Sequence, residues 1–126
     1  MTRIGVTIVA LLAFAACNRG GQVDRAKLDA LVTPPELARG DSLFHAACAA
    51  CHGPRGIGTD HGPPLVHAIY GPGHHGDAAF LFAARRGVAG HHWRFGDMQP
   101  VAGVTDADVV AMTAYVRWLQ REVGIR

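Results

Sequence analysis

Apolar residues return every three or four positions near the end of the chain. This spacing predicts one buried face of a helix. Thr105 precedes the stripe and Asp108 follows three residues later, the arrangement of a capping box, while Gly124 marks the end. The apolar positions of the stripe are Val109, Met112, Tyr115, Val116 and Leu119.

A second helix is predicted to begin near Thr33 and to continue through Gly40 to Ala47. Thr33 as N-cap, Pro34 at the first helical position and Glu36 three residues after the cap also form a capping-box pattern. Gly40 in a helix interior costs about 1 kcal/mol relative to alanine. We therefore expect another helix to pass close to Gly40.

A third helix is predicted over residues 77–86, with Gly87 just beyond its end. The segments 53–76 and 87–103 are rich in glycine and proline, and no alternating strand pattern competes with the helices. The sequence thus predicts an all-α protein of three to four helices joined by long loops.

The first 16 residues differ in character from the rest. One arginine, Arg3, precedes the uncharged apolar run from Ile4 to Ala16, which is too short to span a bilayer and typical of an export signal. Small residues before Cys17 resemble a bacterial lipobox, in which that cysteine becomes lipidated. We expect a signal peptide over 1–16, a lipid-anchored tether over 17–33 and one domain over 34–126. Cleavage without lipidation is the alternative.

Charge gives no support for a nucleic-acid partner. The 126-residue chain carries a formal charge of +2, which falls to +1 when residues 1–16 and their single arginine are removed. There is no basic run interleaved with aromatic residues of the kind that binds nucleic acids.

The most specific motif is the pentapeptide from Cys48 to His52, in which two cysteines three positions apart precede a histidine. Two thiols at this spacing can form thioethers with the two vinyl groups of one haem, and His52 can then bind the iron. A thioredoxin-like dithiol or part of a zinc site are the alternatives. The dithiol should follow a strand, but no β-branched run precedes Cys48, and a zinc site has no use for the adjoining histidine.

A haem needs a second axial ligand, and Met98 in the loop before the last helix is the favoured candidate. A thioether is a soft ligand that raises the reduction potential relative to a second imidazole. His91 and His92 are the rival ligands. A buried haem would also add apolar mass to a helical chain whose own core is small.

With this motif, a downstream Met-x-Pro and a terminal aromatic helix, the region from about 35 to 120 resembles the class I monohaem c-type cytochromes. The resemblance implies a small cytochrome c fold wrapped around one covalently bound haem. It implies that Gly40 and Phe44 of one helix cross Tyr115 and Trp118 of the last.

The same resemblance implies that the Pro63 carbonyl accepts a hydrogen bond from His52. Met98 and Pro100 are separated by one residue here, where many relatives have them adjacent, and the pairs His74–His75 and His91–His92 are not general family features. We further expect Tyr70, Trp93 and Arg94 to donate hydrogen bonds to the haem propionates. A haem-wall role for Trp93 and a solvated Arg94 are the alternative.

These features predict an electron-transfer protein rather than an enzyme. The resemblance implies a carrier tethered in the bacterial envelope, facing the periplasm. Its expected partners are a quinol-oxidising complex, a terminal oxidase or a periplasmic oxidoreductase. A haem sensor or small haem enzyme with a displaceable distal ligand is the alternative, and a haem-free metal-binding module is a third interpretation.

Overall fold

The computed structural model describes residues 23–126. Five α-helices follow one another along this part of the chain: α1 Arg25–Ala30, α2 Ala38–Ala47, α3 Ala49–His52, α4 Asp77–Arg86 and α5 Asp106–Glu122. Short 3₁₀ turns cover Pro35–Leu37, Pro54–Gly56 and Ala68–Tyr70. Over these residues the only β pairing is an isolated bridge. The predicted all-α class is confirmed, while the predicted signal peptide and Cys17 lie outside the described residues.

The capping box of α5 is present as predicted. The Thr105 hydroxyl accepts a hydrogen bond from the Asp108 amide at 3.2 Å, and the Asp108 carboxylate accepts one from the Thr105 amide at 2.9 Å. These two contacts satisfy amide groups that the first turn of a helix leaves free. They fix the start of the helix that supplies most of the core.

The predicted capping box at Thr33 is wrong. Because Pro34 precedes another proline, its backbone is biased away from the helical region, and it adopts ψ 146°. Pro35–Leu37 forms a 3₁₀ turn without a side-chain cap, and α2 begins only at Ala38. The Thr33 hydroxyl instead donates to Asp41 at 2.7 Å.

Helices α2 and α5 pack against each other as expected. A β-carbon at Gly40 would overlap with the carbonyl oxygen of Ala111, so the glycine permits the close approach. Phe44 lies 5.7 Å from Tyr115 between ring centroids, and Tyr115 lies 6.0 Å from Trp118. Phe44 and Tyr115 are almost completely buried. This crossing belongs to the hydrophobic core and leads directly into the residues that follow α2.

Helix α1 lies in the segment for which the sequence predicts a tether. Its Leu28 is 0% exposed and belongs to the hydrophobic core. The guanidinium of Arg55 donates to the carbonyl oxygen of Leu31 at 2.8 Å. Residues 25–31 therefore pack on the domain. Within residues 23–126, none of the helices combines the length and the apolar character needed to cross a bilayer.

Candidate haem site

The junction of α2 and α3 brings the two cysteines and the histidine together. Cys48 leaves the helical path with φ −122°, and α3 then resumes for a single turn. The carbonyl oxygen of Cys48 accepts hydrogen bonds from the amides of Cys51 at 3.2 Å and of His52 at 2.9 Å. Cys48, Cys51 and His52 line the same cavity, and neither cysteine forms a disulfide among the described residues.

The imidazole of His52 is fixed in one orientation. Its Nδ1 lies 2.8 Å from the carbonyl oxygen of Pro63, the contact that the family resemblance implied. Because a carbonyl can only accept, Nδ1 carries the proton and Nε2 keeps a free lone pair. Burial lowers the pKa of His52, and the hydrogen bond to Pro63 partly opposes this effect. The neutral imidazole is therefore suited to bind a metal through Nε2.

The loop after α3 packs closely on the cysteine turn. The Gly58 amide donates to the carbonyl oxygen of His52 at 2.6 Å. A β-carbon at Gly62 would lie 2.8 Å from the carbonyl oxygen of Cys51, which is closer than side chains can approach. The backbone before Pro63 is therefore held against Cys51, and this contact sets the position of the carbonyl that orients His52.

A cavity of about 650 Å³ lies between this turn, α4, α5 and the loop 87–101. Its walls are mainly apolar, with a few polar groups, as is usual for cofactor sites of this size. Phe44 and Val109 contribute from the core, and Phe80 and Ala84 contribute from α4. The site therefore offers an apolar chamber that opens beside two thiols and an imidazole.

Met98 lines the cavity and is held by its backbone. The amide and carbonyl of Met98 form reciprocal hydrogen bonds with Val88 at 2.8 and 2.9 Å. Gly87 adopts φ 75° and leaves no room for a β-carbon beside the Met98 carbonyl oxygen. The Asp97 carboxylate accepts a hydrogen bond from the Gly90 amide at 2.9 Å. These contacts fix the loop that carries Met98.

Met112 also lines the cavity but differs from Met98 in its setting. It is buried on α5, and its sulfur lies 3.6 Å from Cys48 Sγ. This contact places it beside an attachment thiol as part of the apolar wall. Met98 remains the predicted ligand.

Tyr70 and Trp93 line the cavity, while Arg94 is exposed. The indole nitrogen of Trp93 is buried and forms no hydrogen bond of normal geometry among the described residues, although it lies near enough to the Tyr70 hydroxyl to oppose the rise that burial causes in the pKa of Tyr70. A buried donor without a partner is costly and points to an acceptor on a bound group. The propionate roles of Tyr70, Trp93 and Arg94 all stay predictions, and Trp93 is the one whose buried donor motivates a test.

The structure also brings the two histidine pairs together. His75 lies 5.1 Å from His92 between ring centroids, and His74 lies 5.2 Å from His92. His75, His91 and His92 line the cavity. The sequence displays the pairs but gives no signal that two loops separated by helix α4 would meet.

The geometry favours haem over the two alternatives for the cysteines. Burial, with a smaller contribution from Cys51, raises the pKa of the Cys48 thiol to about 11, whereas redox-active dithiols have lowered pKa values. Among residues 23–126, the side chains close enough to share a metal ion are histidines, and neither cysteine is one of them. Two unpaired thiols, a free imidazole nitrogen and an orphaned indole N–H around an apolar chamber fit a haem with carboxylate substituents.

Comparison with known families agrees with this site. The family model described as cytochrome c matches residues 37–120, about two thirds of the chain. This region includes the cysteine turn, the cavity and the methionine loop. No curated protein and no solved structure gives a significant match.

Proposed function

Because the chain belongs to the cytochrome c family and therefore carries haem c for electron transfer, we propose that it is a tethered one-electron carrier whose iron is held by His52 and Met98. Cys48 and Cys51 provide the two thioether links. When bound, the haem supplies one iron that changes its oxidation state by one electron. The chain's own residues set the orientation, polarity and accessibility of that group.

The observation that carries the proposal is that His52 and Met98 line one apolar cavity and that a hydrogen bond to backbone fixes each of them. The Pro63 carbonyl fixes the imidazole, and the paired backbone of Val88 fixes the methionine loop. Ligands that are held in place need little rearrangement when the metal charge changes. This property favours rapid electron transfer, and a thioether favours a raised reduction potential.

A pair of protein ligands leaves no coordination position for a substrate. This supports a carrier over a haem sensor or haem enzyme. The presence of His91 and His92 in the cavity lining supports one specific variant, in which a second imidazole replaces Met98. Both variants predict electron transfer, but they predict different reduction potentials.

Exposed groups among the residues that line the cavity suit a redox partner. Cys51 is exposed, and Phe82 and Phe95 at the cavity rim are 52% and 40% exposed. Redox encounters typically use small, transient interfaces of this kind. The proposed partners are a quinol-oxidising complex, a terminal oxidase or a periplasmic oxidoreductase. The proposed location is the bacterial envelope, with a lipid on Cys17 and the domain facing the periplasm.

Spectroscopy of protein produced with a haem-attachment system tests the proposal. A pyridine haemochrome spectrum should report two thioethers, and the oxidised protein should have the weak near-infrared band of sulfur-to-iron ligation. Met98→Leu should abolish this band and lower the reduction potential, because a weaker or absent sulfur ligand no longer favours the reduced iron. Met112→Leu is the matched control and should retain the band.

Three results would contradict parts of the proposal. A colourless product would show that the chain attaches no haem. If His92→Gln lost the native spectrum and Met98→Leu kept it, the axial ligand would be the His92 imidazole and not the Met98 sulfur. Rapid carbon monoxide binding to the reduced protein would indicate an open position and favour a sensor or enzyme.

A further inference from the structure

Four histidines from two separate loops meet beside the haem cavity, and three of them, His75, His91 and His92, line it. The ring centroids of His91 and His92 lie 4.2 Å apart, and those of His74 and His75 lie 4.7 Å apart. Potential ligand nitrogens of His74, His75 and His92 all lie within 4.8 Å of one another. Within residues 23–126 this is the only such group, and it includes neither His52 nor Met98, the two proposed haem ligands, although His92 is the rival to Met98.

The ring nitrogens in this cluster are prepared for ligation. His75 Nδ1 lies 2.7 Å from the carbonyl oxygen of Ile69, and His91 Nδ1 lies 2.9 Å from that of Ala89. Each carbonyl accepts a hydrogen bond from the nearby Nδ1, which leaves Nε2 free in both rings. Histidines that bind metals usually donate their other N–H in this way. His92 Nε2 is buried and has no partner among the described residues.

The backbone on both sides of the cluster is fixed. Arg117 is only 5% exposed and donates to the carbonyl oxygens of Tyr70, at 2.6 Å, and of His75. Its Nε also pairs with Asp77 at 2.7 Å. The other pair of histidines follows Gly90, whose amide is bound by Asp97. Two anchored loops thus present imidazoles to a common point.

We propose that His74, His75 and His92 bind one divalent transition-metal ion, Zn²⁺ or Cu²⁺, separately from the haem iron. Three neutral imidazoles are typical ligands for these two ions and are poor ligands for Mg²⁺ or Ca²⁺. A tetrahedral Zn²⁺ with bonds of about 2.0–2.1 Å needs nitrogens roughly 3.3 Å apart. Rotation of the rings on their fixed backbones brings the nitrogens from within 4.8 Å to this separation. Water or the neighbouring His91 provides the fourth ligand.

Such an ion would join two parts of the haem environment. His74 and His75 lie on the turn before α4, whereas His92 lies on the loop that carries Met98. A metal held by both loops can bind only while the loops lie together. It therefore stabilises that arrangement of the loops by mass action. Metal occupancy should therefore slow displacement of Met98 by an external ligand.

Isothermal titration of the tag-free, haem-loaded, oxidised protein with Zn²⁺ tests the site. We expect one equivalent to bind. Loss of outer-shell partners alone costs roughly 10–100-fold in metal affinity, so His75→Gln and His92→Gln should weaken binding at least as much. His74→Gln should do the same, and because His74 is exposed the substitution does not threaten the fold. His45→Gln is the matched control, since His45 lies on α2 outside the cluster.

Cu²⁺ provides a second readout on the same protein. Its electron paramagnetic resonance spectrum should contain nitrogen hyperfine structure that simplifies in His92→Gln. The proposal is overturned if wild-type protein binds no Zn²⁺, if several weak equivalents bind, or if His45→Gln weakens binding as much as the cluster variants. Zinc binding that persists in Met98→Leu would support a site independent of the axial ligand, so failure of the carrier proposal and failure of this one can be told apart.

Discussion

Gly40 of α2 lies so close to Ala111 of α5 that a β-carbon at position 40 would overlap with the Ala111 carbonyl oxygen. The contact is with backbone, so no side-chain rotation can relieve it. Phe44 and Tyr115, which pack against each other across the two helices, hold the helices at this separation. The lack of a side chain at position 40 thus determines how closely α2, which ends just before Cys48, approaches α5.

Gly40→Ala should destabilise the folded haem protein despite alanine's higher helix propensity. Overpacking typically costs about 1–3 kcal/mol, which exceeds the roughly 1 kcal/mol that alanine gains in a helix. Denaturant unfolding followed by the Soret band measures the difference. Gly73→Ala is the matched control, because a β-carbon there would meet nothing within 4 Å. Equal stability of the two variants would contradict the close-packing explanation.

The capping box of α5 gives a prediction with a pH dependence. Hydrogen bonds from the Thr105 backbone and side chain lower the pKa of Asp108, with a smaller effect from Arg39. A lowered folded pKa means that the stabilisation is present above the unfolded pKa, about 3.9, and is lost as the pH falls through the folded value. Asp108→Asn should therefore lower the free energy of unfolding at neutral pH. The difference in this free energy between the variant and the wild type should become smaller at lower pH.

Thr105→Ala removes the other half of this box and should cost about 1 kcal/mol. Unfolding curves at several pH values measure both effects. Asp106→Asn is the control, because its carboxylate pairs with Arg85 on the exposed surface and such pairs contribute only about 0–1 kcal/mol. A pH profile for Asp108→Asn that runs parallel to wild type would show that the carboxylate charge does not stabilise the helix.

Much of the helical fold follows from local signals. The bounds of α4 and the cap of α5 can be predicted because Asp77, Gly87 and Thr105 are common helix-boundary residues at the expected positions. The start of α2 is missed because two consecutive prolines override the cap pattern at Thr33. The cysteine turn and the methionine loop are recognisable because covalent and axial ligands restrict residue type and order.

The remaining features depend on contacts that sequence patterns do not encode. Arg117 follows Val116 of the apolar stripe but is not one of the stripe positions, and the sequence gives no signal for its role. In the structure it is buried and binds the loop containing Tyr70 and His75. Leu28 lies in a weakly patterned segment, yet it is completely buried. Such long-range contacts arise from packing, so neither periodicity nor spacing predicts them.

Arg117→Met should disrupt the turn before α4. It leaves the carbonyl oxygen of His75 and the side-chain oxygen of Gln120 without their donor, while the Tyr70 carbonyl keeps only Gln120 Nε2, at 3.0 Å. Each buried unsatisfied group costs about 1–3 kcal/mol, so a total loss of several kcal/mol is expected. Arg85→Met is the control, since its ion pair with Asp106 is exposed. Unfolding free energies compare the two, and similar values would contradict a structural role for Arg117.

Trp93→Phe tests the proposed hydrogen bond to a haem propionate. The substitution keeps an aromatic wall but removes the indole N–H that is buried without a partner. Loss of a donor to a carboxylate raises its pKa. A charged propionate favours the oxidised iron, so the pH-dependent fall in the reduction potential should move to higher pH. Protein-film voltammetry across a pH series measures this change.

Arg94→Ala provides the comparison for this measurement. Arg94 is exposed, and solvent screens its charge, so we expect a smaller displacement of the same pH profile. If both variants leave the profile unchanged, Trp93 is only a wall of the cavity and the propionates take their donors elsewhere. If Arg94→Ala produces the larger displacement, the guanidinium is the principal donor, and the buried indole nitrogen has another acceptor.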